Sequence, residues 1–123
     1  MRESKQILNL MKVRGKMKSI GFILNITNRR RLLLILTNSY KLALKFTYKP
    51  IMMNKKQYYR ITNTKYTYLD IDFFICLCSY KEDDIYFIIS SNAMPRYTLL
   101  LSLYSTPDQS KYAQFKEAWH LLN

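Results

Sequence analysis

Asp70-Ile71-Asp72 holds two carboxylates one residue apart, and residues two apart on an extended strand share a face. Such a pair could hold magnesium, a hard cation that takes oxygen ligands. At the entry to an apolar run, the commoner task of paired aspartates is to cap a turn. Arg29-Arg30-Arg31 offers three guanidinium forks just before another apolar run. Forks of this kind match phosphate oxygens, though the same three charges could equally form a solvated turn that blunts a sheet edge. Lys41 and Lys45 alternate with Leu42, Leu44 and Phe46, so they fall on one side of a strand and add to the same positive surface. Tyr48, Tyr58, Tyr59, Tyr66 and Tyr68 are interleaved with these cations. They could stack bases, as in single-strand binders, or pack along a sheet, which is the commoner use of such tyrosines.

Other chemistries lack their residues. Zinc held by Cys76, Cys78 and His120 would need a fourth ligand, and the chain has two cysteines and one histidine. The single imidazole leaves little for a serine or cysteine triad. The two glycines, Gly15 and Gly21, cannot build a phosphate-cradling glycine loop. Cys-x-Cys inside an apolar run sets the thiols side by side on one strand face instead of bridging them. Reduced thiols of this kind fit an intracellular protein, cytoplasmic or organellar.

The charges are segregated along the chain. Residues 1–69 carry sixteen Lys and Arg against one acid, Glu3, whereas residues 70–123 carry four against seven. The net charge of +12 therefore comes wholly from the first half. Lys-rich codon usage can inflate the basic count, but it does not explain an absence of Asp and Glu from residue 4 to residue 69. A polyanion is the expected partner, because neutralising phosphates releases counterions. The same gap means that residues 4–69 can supply no carboxylate to a metal.

The elements that must position these groups can be read from periodicity. With 123 residues, 49% of them hydrophobic, one folded domain spanning 1–123 is expected. No apolar run approaches the ~18 residues of a membrane span, and the basic start lacks a secretory apolar segment. Ile7, Leu10, Met11, Met17 and Ile20 predict an amphipathic helix from about Ser4 to Ile20, with a basic outer face and Gly21 as its C-terminal cap. Short strands follow at Phe22–Ile26, Leu32–Leu36 and Leu42–Phe46, the last two pairing as a hairpin, with a further short strand at Tyr58–Ile61. Asp72–Cys78 and Ile85–Ile89 form the clearest hairpin, the first strand central in the sheet because it is apolar on both faces. Thr106-Pro107 predicts the start of a last helix running to about Leu121, with Tyr112, Phe115, Trp119 and Leu122 as its packed stripe.

This order of elements resembles the PD-(D/E)XK endonucleases of the group I intron-associated, homing-endonuclease-like kind. The likeness is strongest from Tyr66 through Asp70-Ile-Asp-Phe-Phe74 to Asp84-Ile-Tyr-Phe-Ile-Ile89, and it includes the closing aromatic segment. It implies an α/β (α+β) fold, a restriction-endonuclease-like mixed β-sheet flanked by helices, that binds duplex DNA and cuts it with Mg2+. The Lys-bearing strand matches Leu42–Phe46, so the resemblance puts Lys45 where it would polarise the scissile phosphate or activate water. Ala43 stands where the family has Glu or Gln, and Arg31 or Leu32 stands where it has the metal-binding Asp. The first-helix Glu has no counterpart near Leu10. The implied reading is a DNA-binding, degenerate or inactive member of the family, with Asp70 and Asp72 as displaced ligands if metal were held at all. Arg29, Arg30, Arg31, Lys41 and Lys45 would then contact nucleic acid. The alternative is a non-catalytic basic RNA- or DNA-binding protein of the ribosome-associated or organelle-encoded type. Either is compatible with a homo-oligomer.

Overall fold

The computed structural model describes residues 2–28, 33–36, 40–62, 71–80, 83–95, 97–102 and 110–123. The class is mixed α+β: one α-helix, a five-stranded mixed sheet and a three-stranded antiparallel sheet. Helix α1 (Arg2–Ser19) runs through Gly15 without a break. It stops at Gly21, whose φ of 99° closes the helix. Gly21 N–H donates to the Lys18 carbonyl and Phe22 N–H to the Met17 carbonyl, the paired bonds of a Schellman cap. Its buried stripe is Leu10, Val13 and Met17, whereas Met11 and Ile20, expected in that stripe, are 59% and 41% exposed. A stripe through Val13 is the tighter i, i+3, i+7 match to the sheet below.

Strands β1 (Leu24–Asn28), β2 (Leu33–Leu36), β3 (Lys41–Thr47), β6 (Phe73–Tyr80) and β7 (Asp83–Ser90) form the large sheet in the order β1-β2-β3-β6-β7. The β2–β3 and β6–β7 hairpins form as expected. β3 and β6 run parallel, with Leu42 beside Phe73 and Lys45 beside Cys76. A parallel pair needs a long crossover, and the described part of this one carries β4 (Ile51–Met53) and β5 (Lys56–Thr62). Asn54 and Lys55 join those two strands at φ 49° and 66°, the left-handed pair that a tight type I′ hairpin requires. Strand β8 (Thr98–Leu101) pairs with β5 to complete the small sheet, ordered β4-β5-β8.

The β3-β6-β7 part of the large sheet is thus buried on both faces. On one side Leu42, Leu44, Ile75, Leu77 and Ile88 meet α1. On the other, Ala43, Phe74, Cys76, Phe87 and Ile89 meet Tyr59, Ile61, Leu99 and Leu101 of the small sheet. β6 lies between β3 and β7, and Phe74 to Cys78 are all buried, as its continuous apolar run predicts.

The C-terminal segment departs from expectation. Residues 106–109 lie outside the described residues, and residues 110–123 form two 3₁₀ turns, Ala113–Phe115 and Trp119–Leu122, in place of an α-helix. Lys116 is extended and bridges Phe87 on β7, and Glu117 follows at φ 51°. The aromatic stripe is therefore divided. Tyr112 and Phe115 pack on the small-sheet side of β7, while Trp119 and Leu122 pack on the α1 side. Wrapping β7 satisfies backbone groups along the otherwise open edge of the large sheet, which a continuous helix on one face could not do.

Candidate functional site

Lys45 points to the face of β3 that the small sheet covers, and its Nζ donates to the Thr62 carbonyl at 2.8 Å. Ala43, two residues earlier on the same face, is fully buried among Phe74, Cys76 and the small-sheet residues. A Glu or Gln side chain at position 43 would have to fit between two packed layers. Asp72 belongs to the far end of the strand pair: its Oδ2 accepts the Lys41 N–H at 2.8 Å, and its own N–H donates to the Lys41 carbonyl at 2.9 Å. It caps the entry to β6. With Asp72 level with Lys41, Lys45 lies four residues further on, about 13 Å along the strands at ~3.3 Å per residue. Asp72 therefore does not join Lys45. Asp70, Arg29, Arg30, Arg31 and Leu32 lie outside the described residues.

Among the described residues, the surroundings of Lys45 do not fit magnesium. Its level neighbour on β6 is Cys76, whose thiol burial pushes up from 9.0 to about 12, with nearby Lys45 pulling it partly back. A protonated thiol and an alanine methyl are not ligands for a hard cation. Among the described residues no three His, Cys, Asp or Glu side chains cluster as a metal site. Cys78 shares the Cys76 face, is buried, and has its ionisation raised by burial and by Cys76. His120 is exposed on the last 3₁₀ turn, away from both thiols, and not in a packed helix.

Two carboxylates at the β7 edge, Glu117 and Asp84, hold the fold. Glu117 Oε2 accepts the Tyr86 N–H at 2.8 Å, and its Oε1 accepts the Trp119 indole N–H at 2.9 Å. Asp84 accepts the Ser79 hydroxyl and pairs with Lys12 of α1 at 3.3 Å. Burial, then Asp84 and Glu117, raise the Tyr86 phenol to about 12.

The small sheet presents a different surface. Tyr59 and Ile61 face the core, so alternation turns Lys56, Tyr58, Arg60 and Thr62 outward. Beside them stand Ile51, opposite Tyr58, and Leu100, opposite Arg60. Lys56 and Arg60 are exposed, Tyr58 is half-buried, and Lys55 is exposed at the hairpin tip. β4, β5, β8 and the β4–β5 turn contain no acid, and among the described residues Lys55, Lys56 and Arg60 make no ion pair. Of the tyrosines interleaved with the cations, Tyr59 packs in the core and Tyr48 accepts a hydrogen bond from the buried Asn9 side chain at 2.6 Å. Tyr66 and Tyr68 lie outside the described residues. The sequence signal for this surface is the alternation Lys56-x-Tyr58-x-Arg60 after a two-residue turn. Helix α1 adds the exposed Lys18. Among the described residues no helix is long and apolar enough to cross a membrane.

No protein-family model, curated protein or solved structure matches this chain.

Proposed function

We propose that this protein binds nucleic acid through its basic surfaces without cutting it, and that its endonuclease-like strand is a degenerate remnant. The observation that carries this reading is the segregation of charge in space. Exposed Lys55, Lys56 and Arg60 share a sheet with no carboxylate, while Asp72, Asp84 and Glu117 accept hydrogen bonds within the fold. A surface of one sign attracts a polyanion and gains counterion-release free energy on contact. The absence of cleavage is supported by the state of β3: Ala43 is buried, the Lys45 ammonium is held by the Thr62 carbonyl, and Asp72 is engaged at the other strand end. Without a metal ligand set among the described residues, the metal-dependent hydrolysis that the resemblance implies lacks its Lewis acid and its activated water. An intracellular setting, cytoplasmic or organellar, belongs to the same reading and is supported by two buried, unpaired thiols.

The test is incubation of the purified protein with labelled plasmid and linear duplex DNA at low salt, with magnesium, manganese or EDTA, resolving cut products and shifted complexes separately. Salt-sensitive shifts with no cutting are expected. Metal-dependent cutting that Lys45→Ala abolishes would overturn the non-catalytic reading, and no shift under any condition would overturn nucleic-acid binding itself.

A further inference from the structure

We propose that the outer face of the β4-β5-β8 sheet is a stacking platform for unpaired bases, so that the preferred ligand is a single-stranded nucleic acid. The inference rests on the nucleic-acid reading above and goes on to name the surface and the class of strand. Three observations carry it. Tyr58 lies mid-sheet on the outward face, directly opposite Ile51 on β4 and diagonal to Leu100, the partner of Arg60 on β8, so an aromatic ring sits in a shallow apolar strip. Lys56 and Arg60 stand two residues to either side of Tyr58 on the same face of β5 and are exposed, placed to take phosphates at both ends of that strip. Lys55 occupies a left-handed position, φ 66°, that glycine would fill with less strain, so a positive charge is held at the hairpin tip against backbone preference.

A stacking ring among cations is the arrangement that sequence-tolerant single-strand binders use, since every base has a π-face. In a duplex those faces are closed by neighbouring base pairs, and only the backbone would meet this sheet. An anionic membrane would also be attracted by the charges, but it would find only the narrow strip of Ile51, Met53, Tyr58 and Leu100 on a three-stranded sheet, where insertion needs a broad apolar face.

The test is fluorescence anisotropy of the full chain with a labelled single strand of about 15 nucleotides, with the same sequence as a duplex, and with vesicles containing phosphatidylserine. The single strand should bind tighter than the duplex. Tyr58→Ala should weaken single-strand binding about tenfold and leave duplex binding within about twofold, while Tyr58→Phe retains wild-type affinity. Thermal melts establish that each variant is folded. Independently of any variant, a single strand carrying 5-iodouracil should photo-crosslink to Tyr58 of the unaltered protein, located by mass spectrometry. Equal loss on both nucleic acids, no loss with Tyr58→Ala, or crosslinking confined to other residues would overturn the platform while leaving the nucleic-acid reading intact. Binding to vesicles with none to either nucleic acid would overturn both.

Discussion

The β7 edge and the small sheet use charge in opposite ways. At the edge, Glu117 holds two N–H groups and Asp84 holds a hydroxyl and a lysine, so each carboxylate closes a backbone or side-chain valence within the fold. On the small sheet, Lys55, Lys56 and Arg60 extend into solvent from a surface with no acid. Charge that satisfies a partner inside the fold reads as structural, whereas like charge gathered outward is a cost in self-repulsion that a ligand can relieve. The lesson concerns Lys45 most directly. Its place on an alternating strand suggests a reacting centre, yet its ammonium belongs with the first class of group, held by the Thr62 carbonyl at the junction of the two sheets.

That comparison can be broken first at Ala43. If the layers are closed there, Ala43→Gln inserts an amide where the side chain is fully buried and should lower the unfolding free energy by roughly 2–5 kcal/mol in urea titrations. A loss under about 1 kcal/mol would mean that β3 can host the missing motif residue after all. The pH dependence of stability comes next. The Cys76 thiol ionises near 9.0 ordinarily and near 12 in the fold, so from pH 9 to 12 the folded chain keeps a proton that the unfolded chain loses. The stabilisation is fully present below pH 9 and is lost as pH rises, at most about 1.4 kcal/mol per unit for this group. Cys76→Ala should flatten that slope, and an unchanged slope would contradict the burial.

Glu117→Ala leaves the Tyr86 and Trp119 N–H groups without their acceptor, and a loss of about 2 kcal/mol with a looser C-terminal segment in hydrogen exchange is expected. Lys56→Ala, by contrast, should change stability by under about 0.5 kcal/mol. Equal effects at the two positions would erase the distinction between the regions. Lys55→Gly sharpens it: relief of the left-handed lysine should add about 1 kcal/mol to stability while weakening nucleic-acid binding.

Much of the architecture was legible where one local rule dominates. The continuous apolar run Phe73–Cys78, paired across a polar turn with Ile85–Ile89, pointed to a central strand, and Gly21 marked a helix end because a left-handed residue is needed there. The C-terminal segment misled because Tyr112, Phe115, Trp119 and Leu122 satisfy helical spacing. The same spacing also serves a chain that wraps a strand edge, and the competing demand, the unpaired backbone of β7, is invisible before the sheet order is known. β8 was not anticipated, since Thr98–Leu101 is short and has no alternation. For the candidate site, position on a strand was readable but level was not. The sequence offers no measure of the parallel register that sets Asp72 beside Lys41 and Cys76 beside Lys45. The small-sheet surface was half-visible in Tyr58 and its neighbouring lysines, and its coherence came only from the pairing of β5 with β4 and β8.

The most direct measurement is the salt dependence of nucleic-acid affinity for the wild-type chain and for a triple variant, Lys55→Gln, Lys56→Gln and Arg60→Gln. If the small sheet meets the phosphates, the wild type should show a steep linear fall of log affinity with log salt. The variant should lose about 2 from that slope, at ~0.7 per phosphate on a single strand. A slope in the folded variant indistinguishable from wild type would contradict a nucleic-acid surface on this sheet.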